Sequence, residues 1–354
     1  NEILAAIQAH PDEDSKFDQG KNRSLAKAIS VAMQAYVPEN IIARVLELGE
    51  QGYTHMDIET YDTSWEGDAY STVSGQNSNN SVRVSNDFMQ AVLDEGDWDL
   101  FWRTELDDAK EENRDPEPCK SIPANDLWNK ISKAAWSCAD PGLQYDTTIN
   151  EWHTCSDDGP INGSNPCSEY MFLDDTACNL ASLNLVKFYD EETTKFDTEK
   201  YSHAIRLWTV ALEISVLMAQ FPSEAIAQRS YDYRTLGLGY ANIGSLLMRM
   251  GIPYDDNRAT SICGALTSIL GGVSYGTSAE MSSVQGPFPR YENNKDNMLR
   301  VMRNHRRAAY NAPSDEYEGL TVTPRGIDSN YCPEYLLSAA QNCWDQVVDD
   351  GEKF

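Results

Sequence analysis

Apolar positions recur at helical spacing along much of the chain. Residues 1–52 predict a helical segment: an Ala-rich run from Asn22 to Tyr36 is followed by Pro38-Glu39-Asn40, which opens a second helix with Ile41, Ile42, Val45 and Leu46 on one stripe. Residues 53–80 are polar and predict loop. Ser81-Val82-Arg83-Val84 predicts a strand, and Asp87 to Leu93 a short helix ending near Gly96. The charged, Pro-containing stretch 105–125 reads as a surface insertion, with Asp126 capping a helix to about Ala139. Residues 140–184 lose the helical period and mix Gly, Pro, Asn and Thr with short extended pieces. His203–Gln220 is apolar nearly all round and predicts a helix buried on most sides. Leu236, Tyr240, Ile243, Leu247 and Met250 recur in steps of four and three, which predicts one helix whose Gly237, Gly239 and Gly244 allow close approach to a neighbour. Arg258–Met281, Asn294–Ala312 and Pro333–Asp350 predict three more. Helices alternating with short extended pieces make the fold class α/β and helix-rich.

Charge narrows the partners. The chain has 354 residues, with 28 Lys+Arg against 56 Asp+Glu, a formal net charge of -28. A field of that sign repels nucleic-acid polymers and anionic membranes but leaves room for a single nucleotide held by local donors. The eight cysteines (119, 138, 155, 167, 178, 263, 332 and 343) form no CxxC pair, so reduced thiols in a cytoplasmic protein are expected. The longest apolar stretch, Leu207 to Phe221, contains Glu213 and falls short of a membrane span. A start at Asn-Glu-Ile-Leu without Met predicts a fragment or processed piece.

The densest chemistry lies in Gly159-Pro160-Ile161-Asn162-Gly163-Ser164-Asn165-Pro166-Cys167-Ser168-Glu169-Tyr170. Pro166 pushes Asn165 toward an extended conformation, and in an extended chain side chains two apart share a face. Asn165, Cys167 and Glu169 are then expected to face one pocket. A thiol oxidised by one electron becomes a thiyl radical able to abstract hydrogen from carbon. A carboxylate beside it takes a proton from a hydroxyl, and an amide orients a sugar. Cys167 alone would read as a buried, inert small hydrophobe. Eleven residues on comes Cys178, in Asp175-Thr176-Ala177-Cys178-Asn179-Leu180-Ala181-Ser182-Leu183-Asn184-Leu185.

Together these segments resemble the active-site region of ribonucleotide reductase large chains, with the short cysteine spacing of the adenosylcobalamin-dependent class (class II). Val73–Val84, Ala139–Gln144 and Arg234–Tyr240 resemble the same class, so the likeness covers most of residues 36–312. The resemblance implies a partial catalytic barrel over residues 53–354, part of a ten-stranded α/β barrel with a central finger loop carrying Asn-x-Cys-x-Glu. It implies that Cys167 becomes the thiyl radical that takes the 3′ hydrogen of the ribose, that Glu169 accepts the 3′ hydroxyl proton and that Asn165 holds the sugar hydroxyls. Cys178 becomes one half of a redox dithiol. The implied cofactor is adenosylcobalamin. The implied partners are a ribonucleoside di- or triphosphate, a thioredoxin-type reductant and a second copy in a homodimer. No residue carries a cobalamin-binding motif.

The sequence departs from the family pattern in three places. No Cys precedes Cys119, so the usual partner of Cys178 is absent, as are a Pro-Thr-Gly-Thr phosphate loop and a C-terminal Cys pair. The expectation is an internal fragment, inactive alone, with a barrel incomplete at both ends. Further candidates for substrate contact are Ser164, His153, Cys155, Asn79 and Asn80. Against these stand bland readings: packing for His153 and Cys155, and turn formation for Asn77, Asn79 and Asn80. A zinc site at His153, Cys155, Cys167 and Cys178 lacks the tight ligand pairs of such sites, so no metal is expected. Lys295, Arg300, Arg303, Arg306 and Arg307 form a basic helix that either meets a phosphate or pairs with local acids. Gly237 and Gly239 lack the context of a dinucleotide fingerprint. The competing functions are the large chain of an iron-dependent (class I) reductase and a non-catalytic acidic helical binding module.

Overall fold

The computed structural model describes residues 1–35, 37–56 and 78–351. Chain contacts divide it into two compact units, Asn1–Ser78 and Asn79–Phe354.

The first unit contains α1 (Glu2–Gln8), α2 (Arg23–Gln34) and α3 (Glu39–Glu50). Ile3, Leu4, Ile7, Leu25, Ile29 and Ile42 meet in its core. The buried Asn22 ties it together: its side-chain oxygen caps α2 at the Leu25 amide (3.0 Å) while its Nδ2 donates to the Ala6 and Lys16 carbonyls.

The second unit opens with β1 (Ser81–Val84), α4 (Asn86–Leu93), β2 (Asp97–Leu100), α5 (Arg103–Glu112), β3 (Lys120–Pro123), α6 (Ala124–Cys138), β4 (Gly142–Tyr145) and α7 (Asp146–Glu151). The short strands β5 (Gly163–Ser164) and β6 (Met171–Phe172) follow, then β7 (Asn179–Asn184), β8 (Tyr189–Asp190) and β9 (Lys195–Phe196). It continues through α8 (Thr198–Met218), α9 (Glu224–Tyr233), β10 (Leu236–Ala241), α10 (Ile243–Arg249), α11 (Asn257–Gln285), α12 (Tyr291–Ala309) and α13 (Glu334–Gly351). The fold is α/β and helix-rich, as expected.

Among the described residues the strands pair two by two. β1 with β4 and β7 with β10 are parallel, each joined by a helical crossover as parallel strands require. β2–β3, β5–β6 and β8–β9 are antiparallel. The described strands form no closed barrel. The main core lies where α8, α11, α12 and α13 meet β7, around Tyr201, Ile205, Leu266, Ile269, Leu336 and Trp344.

Four local expectations change. The 105–125 stretch holds most of α5 and all of β3 rather than loop alone. α8 is buried on one face only, since Leu207, Trp208, Ile214, Leu217 and Met218 are exposed. The helix expected across 236–250 is instead the strand β10 followed by α10. Leu-Gly-Leu-Gly-Tyr fits a period of two as well as a helical one, and pairing with β7 decides between them. Asp126 lies in the first turn of α6, behind Pro123 at the cap.

Candidate active site

The segment predicted to carry chemistry is the tip of the β5–β6 hairpin, in which Gly163 pairs with Phe172 and Ser164 with Met171. Asn165 to Tyr170 form its loop. The chain reverses here instead of running extended. The Ser168 amide donates to the Asn165 carbonyl at 3.0 Å, closing a β-turn with Asn165 and Pro166 at positions that favour them. Ser168 has φ 64, the left-handed region. Alternation along a strand therefore does not explain how Asn165, Cys167 and Glu169 relate, because proline sets a turn here. Cys167 and Glu169 are exposed and Asn165 half-buried. Among the described residues no dry pocket encloses the three.

The turn is held by side chains. The Asn165 side-chain oxygen accepts from the Tyr170 amide at 3.0 Å, so it braces the loop. The Ser164 hydroxyl donates to the Asn165 carbonyl (2.8 Å) and accepts from Gln144 Nε2 (2.7 Å), which gives Ser164 a bracing role too. Gln144, on β4, is 2% exposed and also approaches the Ser168 hydroxyl at 3.5 Å. Its own oxygen accepts from Arg83 on β1 at 2.8 Å. Arg83 in turn donates to Asp146 (2.6 Å) and to the Ile161 carbonyl (2.8 Å). The parallel β1–β4 pair thus reaches the cysteine turn through a continuous chain of hydrogen bonds. Arg83 and Gln144 lay in stretches the sequence marked, yet nothing in the sequence gave them a role.

On the other side of the loop, Glu169, Tyr170, Met171 and Phe172 line a cavity of about 770 Å³ within the second unit. The Tyr170 hydroxyl lies 2.9 Å from Thr176 and 2.7 Å from Thr235. Burial, more than these hydroxyls offset, raises its pKa. His153 and Cys155 line the same cavity and are each 2% exposed. The His153 ring meets the Phe172 ring edge-on at 5.4 Å, and its Nε2 is buried without a protein partner. Burial holds its imidazole below the ordinary histidine range and pushes the Cys155 thiol up to about 11. Both therefore favour their neutral forms. Arg234 and Glu213 form a mostly buried ion pair in the wall.

Cys178 sits half-buried just before β7. Burial raises its thiol pKa first, and the negative charge of Glu169 adds to the rise, so the finger-loop carboxylate and this thiol share one electrostatic field. Asn80 lies apart from this group: its side chain donates to Asp140 at 2.7 Å beside the β1–β4 pair, and Asn79 is exposed. Asn80 ties the start of β1 to Asp140 rather than forming a local turn. Asn77 lies outside the described residues. The basic helix is α12, whose Arg303 and Arg307 both donate to Glu318, holding that carboxyl down at about 2; Arg300 donates to the Glu318 and Glu151 carbonyls. Pairing with a local acid therefore accounts for Arg303 and Arg307, while Arg300 is occupied by backbone carbonyls.

Parallel strand pairs with helical crossovers, flanking a hairpin that presents a cysteine between an amide and a carboxylate, make this an α/β domain with a cysteine-bearing loop. The chain belongs to the ribonucleotide reductase barrel-domain family, whose profile matches residues 51–354. It is 54% identical to a vitamin B12-dependent ribonucleotide reductase of Agrobacterium fabrum over 352 residues, 99% of this chain and 27% of that protein. It is 52% identical to one from Bradyrhizobium diazoefficiens over the same shares, and 43% identical to one from Rhodopirellula baltica over 95% of this chain and 30% of that protein. The chain thus spans 27–30% of the length of these relatives. No helix among the described residues is long and apolar enough to cross a membrane.

Proposed function

We propose that the protein this chain forms part of reduces ribonucleotides to 2′-deoxyribonucleotides by thiyl-radical chemistry, with Cys167 as the radical site. The observation that carries this reading is the hairpin tip itself: Cys167 stands at the apex of a turn braced from both flanks, two residues from a free carboxylate, in a chain of the reductase family.

The relatives are named vitamin B12-dependent, which favours adenosylcobalamin over an iron-dependent partner subunit. The residues present fit that group in their chemistry, since the exposed Cys167 thiol offers a hydrogen atom where a bulky cofactor can approach. When bound, adenosylcobalamin supplies the one-electron oxidising equivalent that turns a thiol into a thiyl radical. Cys167 then takes the 3′ hydrogen of the ribose, and Glu169 accepts the 3′ hydroxyl proton. As the 2′ hydroxyl leaves as water, Cys178 and a second thiol supply two electrons and two protons and close a disulfide; Glu169 returns the proton to the 3′ oxygen and Cys167 returns the hydrogen to the 3′ carbon, which restores the thiyl radical. The substrate is a ribonucleoside di- or triphosphate, and a thioredoxin-type protein restores the dithiol. The cysteine turn is exposed in this chain, and the remaining barrel strands of the longer protein supply the cover that shields a radical from water.

The test is Cys167→Ala in the full-length protein with adenosylcobalamin and a dithiol. The expected result is no deoxynucleotide product from a normally folded enzyme. Product at the parent rate would overturn the assignment.

A further inference from the structure

Two glycines stand on β10, Gly237 and Gly239, and only one of them is demanded by space. A Cβ at Gly239 would meet nothing nearer than the Ser182 hydroxyl at 3.9 Å, an ordinary contact. A Cβ at Gly237 would lie 2.3 Å from Cys178 Sγ, 2.7 Å from the Asn179 carbonyl oxygen and 2.7 Å from Leu180 Cδ2. Unstrained carbon contacts run near 3.5–4.0 Å, so a side chain there would drive the sulfur away. Gly237 is not among the glycines with positive φ, so conformational freedom is not its reason.

We infer that Gly237 is a positioning residue for the Cys178 thiol: the missing side chain on β10 lets β7 lay the sulfur directly against the neighbouring strand. This rests on the redox role given to Cys178 above. A disulfide forms only when the two sulfurs reach about 2.05 Å with the Cα atoms roughly 4.4–6.8 Å apart, so a sulfur displaced by even one methyl radius loses its partner. The seating against β10 also keeps the thiol half-buried and in the field of Glu169. The parallel register fixes it further, since Gly237 sits opposite Leu180 in a ladder that runs the full length of both strands.

The experiment uses the full-length protein with adenosylcobalamin and a dithiol reductant, comparing Gly237→Ala with Gly239→Ala. Alkylation of Cys178 by iodoacetamide is followed across pH by peptide mass spectrometry. In Gly237→Ala the sulfur is pushed toward solvent, so its alkylation profile shifts to lower pH, toward an ordinary thiol. The kcat falls by about a hundredfold, as a displacement of an ångström can cause, with the nucleotide KM unchanged. Gly239→Ala keeps the parent profile and the parent kcat. A parent-like alkylation profile in Gly237→Ala, or equal shifts in both variants, would overturn the inference. If Gly237→Ala folds poorly, the double variant Gly237→Ala/Cys178→Ala decides: a partly recovered melting temperature supports a clash with the sulfur, the Asn179 and Leu180 contacts accounting for the remainder, and no gain at all overturns it. Cys178→Ser tests the redox role separately. Turnover with dithiol at the parent rate in that variant removes the role on which the inference rests, while the alkylation comparison still reports where the thiol is held.

Discussion

The two sulfurs of the candidate site are mounted in opposite ways. Cys167 rides a hairpin with two residue pairs, and its turn is held by side chains: Ser164, Asn165, Gln144 and, behind them, Arg83. Cys178 precedes a parallel ladder of six residue pairs and is seated by backbone and by the absence of a side chain at Gly237. Cys167 is exposed and Cys178 half-buried. A two-pair hairpin has too few backbone hydrogen bonds to define a turn by itself, so polar side chains must do it. A ladder needs no such help, but it leaves little space for error in side-chain volume. The first mount is sensitive to lost hydrogen bonds, the second to added atoms.

The largest expected effect joins the two mounts, because Glu169 flanks one sulfur and bears on the other. Glu169→Gln removes the proton acceptor and lowers kcat by about 10²–10⁴-fold. The same change takes away a negative charge, so the Cys178 thiol moves down toward its ordinary range, read by its alkylation profile. An unchanged profile would show that the two thiols are electrostatically independent. Next is Gln144→Ala, which cuts the link from β1–β4 to the turn. Leaving Arg83 and Ser164 without this partner costs about 1–3 kcal/mol of stability, measured by urea unfolding. It also lowers kcat by up to about a hundredfold through the misplaced Cys167. Cys178 alkylation stays as in the parent, because its ladder does not involve Gln144. A shift at Cys178 would break the contrast drawn above.

The smallest effect concerns the main core, on which β7 packs. His305 lies between Trp152 and Trp344, with ring centroids 4.7 and 4.8 Å away. Burial holds its imidazole down at about 4, against 6.5 for the ordinary group. The unfolded chain therefore binds this proton first as pH falls. The stability due to the neutral ring is complete above about pH 6.5 and is lost as pH falls toward 4, with a slope of at most about 1.4 kcal/mol per pH unit. His305→Phe keeps an aromatic ring between the tryptophans and flattens that slope in thermal unfolding from pH 7 to 4. An undiminished slope would assign the acid sensitivity to other groups.

Much of this was legible without coordinates. The helices near 23–34, 39–50, 257–285 and 291–309 follow apolar spacing that survives in the fold. The strand at 81–84 was legible from its β-branched residues. The segment Asn165–Glu169 and the run from Cys178 carried the chemistry by residue type and spacing alone, enough to resemble the reductases to which the chain belongs. Their geometry differs from that expected of an extended chain. Asn-Pro opens a turn where an extended run is expected, and Ser164 and Asn165 brace the loop in addition to any contact with substrate.

What the sequence determined by itself is local: which stretches repeat at which period, where proline and glycine interrupt them, and which residue types lie close along the chain. The tertiary structure alone decided that 236–241 is a strand, that Gln144 and Arg83 reach the cysteine turn, that His153 and Cys155 are buried, and that Gly237 must lack a side chain. Each of these depends on residues distant in sequence. A strand exists only through its partner, and a hydrogen bond or a steric limit only through the atom on the other side, so no period or motif along one chain encodes them directly.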